Sequence, residues 1–400
     1  MDKIFSYNAP GFQPDDSKFN DDHWDAAVDH FKNERFKETV DSLIDYIDPA
    51  LRPKHASGNG YRIPHGSIVV NIKFEEDKLI IDSPFLNLED SKRVPLMRRL
   101  AEIKQHPLNL ASLKIADNEA HFHYTCTMHT CEPYKVYNVL REICHLADMY
   151  DDEFIEKFDA KHLTEPEVQH LDDHKKGETV ASINSIIKEG LEYYDYYQSK
   201  RWGNLAWYAL NITLKRIDVF AQPQGYFRTE LERAIQTLYD RNQSFADALM
   251  KTKQHLQKFA DYDETSLKNS LYKINTFVPS KYKGNIENIK ENWKGAYDDV
   301  RQMIGGGNYE EASLLILSSF YNLLHHNYVD ANTQSAISSA MTNAAGKSWG
   351  EGGEILWKTM QNIMEGNLEE AGHGMDLSKA MEENMSKGME MVQKMFGMFK

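Results

Sequence analysis

Cysteine, basic charge and long apolar runs are all scarce in this 400-residue chain. Its three cysteines, Cys126, Cys131 and Cys144, are an odd number in a long sequence, which argues against a disulfide framework and for a reducing compartment. Lys and Arg number 46 against 61 Asp and Glu, a formal net charge of −15. Such a surface repels nucleic-acid phosphates, and the basic residues are mixed with acids along the chain, so no nucleic-acid partner is expected. No stretch approaches the roughly 18 uninterrupted apolar residues of a membrane-spanning helix. The opening MDKIFSYNAPGFQPDD lacks the apolar run of a signal peptide. The expected location is the cytoplasm, and a membrane role is not favoured.

Apolar material is plentiful. Hydrophobic residues make up 41% and aromatics 11%, which is enough for packed cores and excludes global disorder. The length suggests two or three domains. Residues 1–20 are polar, with Pro10, Gly11 and Pro14, and read as a loosely held arm. From Asp21 the apolar residues Trp24, Ala27, Val28 and Phe31, then Phe36, Val40, Leu43, Ile44 and Ile47, recur at helical spacing until Pro49 and Pro53. HASGNG, from His55 to Gly60, reads as a loop, and SIVVNIKF, a charged turn and KLIID as a β-hairpin. Ser91–Gln105 is helical again, followed by a second hairpin over Leu110–Ile115 and Glu119–Met128. Pro133 is well placed to open a helix running to about Phe158. Helix, hairpin, helix, hairpin, helix predicts an α+β domain over 21–163 with an antiparallel sheet covered on one face.

The run LMRRLAEIKQHPLNLASLKIADNEAHFHYTC, followed by VYNVLREICHLADMYDDEF, resembles the YbjN and type III secretion chaperone-like family over about residues 21–160. The resemblance rests on element order and apolar placement. It implies a cytoplasmic, often dimeric module that binds peptides or partner proteins and has no catalytic residues. The stretch Leu51–Pro64 and the large C-terminal extension depart from the family's pattern.

Residues 164–178, with Pro166 and mixed charge, read as a linker, and 179–348 as an all-helical domain. A tyrosine- and tryptophan-rich helical hairpin, Ser182–Gln198 and Trp202–Phe220, is followed by one long helix over Thr229–Phe259 and by further helices to Ala345. GNYEEA at Gly307–Ala312 recurs as GNLEEA at Gly366–Ala371, which reads as helix punctuation rather than a repeat array. Residues 349–400 read as a Gly-containing linker and a Met-rich amphipathic helix. The apolar stripe there includes Met381, Met385, Met389, Val392, Met395, Phe396 and Phe399, and is the expected partner-binding surface. Docking on its own domain, binding in trans and lying on a membrane surface are the competing readings of that tail.

HFHYTCTMHTC, from His121 to Cys131, is the strongest candidate for metal chemistry. Strand alternation puts His121, His123 and His129 on one polar face, and Phe122, Tyr124, Cys126 and Met128 on an apolar one. No CxxC or HExxH spacing supports a zinc site, so the expectation is no cofactor and no metal, with a hydrolase built on His121 and His123 as the alternative. The ionisable groups otherwise read as scattered over wet surfaces, with Asp151–Asp152–Glu153 a solvated helix segment. The function expected is noncatalytic protein binding, chaperone- or adaptor-like, with a homodimer as one open form.

Overall fold

The computed structural model describes residues 2–11 and 17–368 of the chain. The seven Met-rich tail positions from Met381 to Phe399 lie outside the described residues. The α+β part comprises α1 (Asp21–Lys32), α2 (Phe36–Ile47), α3 (Leu51–His55), β1 (Gly60–His65), β2 (Ile68–Glu75), β3 (Lys78–Asn87), α4 (Arg93–Gln105), β4 (Ser112–Ala116), β5 (Glu119–Thr127) and α5 (Pro133–Phe158). The strands form an antiparallel sheet in the order β1-β2-β3-β5-β4, with the two-residue β6 (Lys161–His162) against β3. The two hairpins merge because β3 and β5 pair, with Asp82 opposite His123 and Ile81 opposite Tyr124.

Alternation decides which face is covered. Leu79 and Ile81 on β3 and Ala120 and Phe122 on β5 are fully buried. They meet Val139, Leu140, Ile143 and Phe154 of α5 and Leu43 and Ile44 of α2 in one core. α5 runs for 26 residues and opens on Pro133, whose missing N–H costs nothing at that position. The structure adds strand β1, which contains Pro64; an edge strand tolerates proline because one side of its backbone needs no partner.

The helical part follows β7 (Gln169–His170). It comprises α6 (Asp173–Ser199), α7 (Gly203–Ala221), α8 (Gly225–Tyr239), α9 (Phe245–Ala260), α10 (Glu264–Asn269), β8 (Tyr272–Lys273), β9 (Tyr282–Lys283), α11 (Ile286–Gly305), α12 (Tyr309–His326), β10 (Asn327–Tyr328), α13 (Ala331–Ala344) and α14 (Trp349–Glu365). A second core joins Ile187, Tyr197, Leu210 and Leu214 to Leu317, Phe320, Leu356 and Met360. α6 and α7 approach closely at Gly190, where a Cβ would lie 2.1 Å from Thr213 Oγ1.

Four boundaries differ from the sequence reading. The linker ends early, because the Asp172 side chain accepts the Lys175 N–H and starts α6 at Asp173. The single helix over 229–259 is two helices, since Ser244 caps α9 after the turn that follows Tyr239. The segment from Trp349 is helix rather than linker: Gly352 and Gly353 face Ile4 and Ser313 at distances that leave no room for a Cβ, and Trp357 and Met360 enter the core. The N-terminal arm is not loose over residues 3–11. Ile4 and Phe5 are buried in the helical core, Ile4 N–H donates to the Lys347 carbonyl at 2.8 Å, and Tyr193 OH donates to the Lys3 carbonyl at 2.5 Å.

The two cores are tied together. Phe277 and Val278, from the helical part, are buried in the α+β core. The Phe277 N–H donates to His65 Nδ1 at 3.1 Å, and Gly66 N–H donates to the Asn275 carbonyl at 2.8 Å. Thr229 Oγ1, on α8, donates to the Met149 carbonyl of α5 at 2.7 Å.

Candidate functional site

Three places could carry function: the open face of the sheet, its β4 edge, and the line of ionisable groups where the two cores meet. On the open face, Asp82 of β3 lies beside two histidines of β5. Its Oδ2 is 3.0 Å from His121 Nδ1 and its Oδ1 is 3.1 Å from His123 Nδ1. A carboxylate only accepts, so each ring holds its proton on Nδ1 toward Asp82. His121 Nε2 lies 3.4 Å from Glu119 Oε2.

His129 does not join them. The strand ends at Thr127, and the chain turns through a short 3-10 segment, Met128–Thr130, so the period of two no longer applies. There His129 Nε2 is 3.4 Å from Thr127 Oγ1. Among the described residues, no group of three or more His, Cys, Asp or Glu side chains is arranged to hold a metal ion. Cys126 is half-buried rather than buried, whereas Cys131 and Cys144 are buried. Burial pushes the Cys131 thiol up to about 12, a poor nucleophile.

At the sheet edge, α4 and β4 lie side by side and leave large apolar groups in water. Val94 is 62% exposed, Leu110 42%, Ile115 38% and Met97 36%. α4 buries Leu96, Leu100 and Ile103 on its other side. The expected mixing of charge fails on α4 as well. Arg93, Arg98, Arg99 and Lys104 stand against Glu102 alone, although Arg99 is held by Glu102 and Glu153. Among the described residues β4 pairs with β5 alone, which leaves its outer edge without a strand partner there.

The line between the cores is what sequence reasoning missed. The expectation that ionisable side chains are scattered over wet surfaces is corrected here, because residues far apart in sequence converge. Asp151 of α5 is fully buried, and Ser67, in the β1–β2 turn, hydrogen-bonds to it and, at 3.2 Å, to Asp148 Oδ1. Gly66 is required beside them: its φ is +55°, and a Cβ would fall 1.6 Å from Asp148 Oδ1. Burial drives His65 down to about 4, consistent with its unprotonated Nδ1 accepting the Phe277 N–H. Further along, Arg228 bonds Glu232 at 3.1 Å, and Asp218 meets His325 Nδ1 at 2.7 Å. Burial opposes ionisation of Asp218, but the hydrogen bond and charge of His325 outweigh it and hold the carboxyl well below its usual range. Lys215 of α7, nearly inaccessible, donates to Tyr239 OH at 3.0 Å and to Asn322, and burial lowers its amine to about 8.

Periodicity could not reveal this line, since its members come from the β1–β2 turn, α5, α7, α8 and α12, and each is an ordinary helix or turn residue in its own segment. The clustered tyrosines were a fairer signal: Tyr193, Tyr194 and Tyr197 are buried in the helical core. No protein-family model matches this chain, and no curated protein matches it. Among the described residues, no helix is long and apolar enough to cross a membrane.

Proposed function

We propose that the chain is a noncatalytic, cytoplasmic protein-binding module, chaperone- or adaptor-like, which first binds a second copy of itself through α4 and β4. The observation that carries this reading is the exposure of Val94 and Met97 on α4, Ile115 on β4 and Leu110 just before β4, next to an open sheet edge. Scattered exposed apolar residues are ordinary, but four of them on α4, β4 and the loop that joins them mark a contact surface. An antiparallel edge can pair with its own copy about a two-fold axis, giving both backbones partners and covering the same apolar groups twice. The resemblance of residues 21–160 to chaperone-like proteins supports the same reading, and three free cysteines suit a reducing cytoplasm.

The Met-rich stripe from Met381 to Phe399 is, by its sequence, a second contact surface for a partner protein. Capture of partners with the full chain and with residues 376–400 removed tests that part. Recovery of the same partners in both would refute it.

A further inference from the structure

Ser67 stands between two carboxyls at the seam of the two cores, and counting protons there leads to a specific assignment. Asp148, Asp151 and Asp152 lie on one side of α5, at positions i, i+3 and i+4. Asp148 Oδ1 accepts the Ser67 N–H at 2.9 Å and lies 3.2 Å from Ser67 Oγ. Asp151 Oδ1 accepts the Asp152 N–H at 2.7 Å, and its Oδ2 is hydrogen-bonded to the same Ser67 Oγ. One hydroxyl has one proton to give. With both carboxyls ionised, one of the two contacts on Ser67 Oγ would have no proton in it. With Asp151 neutral, its Oδ2–H donates to Ser67 Oγ, and the serine proton goes to Asp148.

We propose that this proton relay, Asp151 to Ser67 to Asp148, fixes the β1–β2 turn onto α5 and so holds the surface on which the helical part docks, through Gly66 N–H to the Asn275 carbonyl and Thr229 Oγ1 to the Met149 carbonyl, and that a rise in pH loosens that seam.

The groups around the relay do not replace the proton. On α5, Asp152 Oδ2 has no hydrogen-bond partner among the described residues. Also on α5 is His145, lowered by burial. His162 of β6 approaches Asp151 only to 3.6 Å and is likewise lowered by burial. His65 of β1 is neutral, as above. From α8, Arg228 is engaged by Glu232 and Gln224. From β8, burial beside the acids raises the Tyr272 phenol. Burial, then Asp152 and Asp148, raises Asp151 far above the ordinary carboxyl range, and burial with Asp148 and Glu156 lifts Asp152 to about 7.

The sign follows. A carboxyl with a raised folded value favours the closed seam fully below its free value near 3.8, and that contribution is lost as pH rises through about 7 and beyond. The neutral histidines act the opposite way below about 6.5, so the latch is read cleanly above that pH.

Hydrogen exchange on the full chain tests it, followed at residues 63–68, 145–153, 225–230 and 272–278 and corrected for intrinsic rate. In the wild type, protection should fall as pH rises above about 6.5, by up to about tenfold per titrating proton and pH unit while the folded carboxyl still holds its proton. Asp151→Asn, which offers Ser67 a permanent N–H, combined with Asp152→Asn, should hold protection constant. Parallel profiles in the two proteins, or an Asn variant less protected at every pH, would overturn the proposal. The wild type gives a second readout that does not depend on the variant folding. A protonated-carboxyl infrared band should be present near neutral pH and titrate away over the same range, and its absence would also overturn the proposal.

Discussion

Phe277 shows at the scale of one residue how the two cores are joined. It is fully buried, yet among the side chains of the other domain. Phe277→Ala should destabilise the protein by about 3–5 kcal/mol, as expected for a buried phenylalanine, checked by denaturant unfolding. Arg216 is the matching pin for the N-terminal segment. It is 2% exposed and holds Glu189 at 2.5 Å, Ser6 Oγ at 2.7 Å and Asn8 Oδ1 at 2.6 Å. Arg216→Ala leaves Glu189 without its ion-pair partner and should cost about 3 kcal/mol or more. Protease sensitivity within residues 2–11 should rise with it. For the histidines, zinc content after purification should be well below one per chain and unchanged in His121→Ala/His123→Ala. Stoichiometric zinc lost in the double variant would instead establish the hydrolase reading.

Elements with a strong period were legible in advance. α5, the β4–β5 hairpin and the paired helices α6 and α7 follow from spacing, proline placement and alternation. What escaped had local signals pointing the wrong way. β1 carries Gly60 and Pro64, which read as loop, and only its place at the sheet edge makes proline acceptable. Glycines at 350, 352 and 353 suggested a linker, but Gly352 and Gly353 serve close packing of α14 against Ile4 and Ser313. The α4–β4 surface was half visible. The apolar period of α4 was read for its buried side, while Val94 and Met97 on the other side were unremarked. Met97→Glu with Ile115→Lys should leave the chain folded, read by an unchanged circular dichroism spectrum, since both side chains are partly solvated. The same change should abolish self-association.

For the whole molecule, two cores sewn together make a single stable body from parts that look separable in sequence. The N-terminal segment lies on the helical part before the chain enters α1, and residues 272–284 return to the α+β part after five helices. The carboxyl relay at Ser67 was illegible because its members come from positions 67, 148 and 151, and sequence spacing carries no information about which helix face meets which turn. The central claim, self-association through α4 and β4, is tested most directly by the solution mass of the full chain, measured by light scattering over a range of concentrations. The account predicts a dimer near twice the 46.3 kDa chain mass that becomes monomeric in Met97→Glu/Ile115→Lys. A wild-type monomer at all concentrations, or a dimer that survives both substitutions, would contradict it.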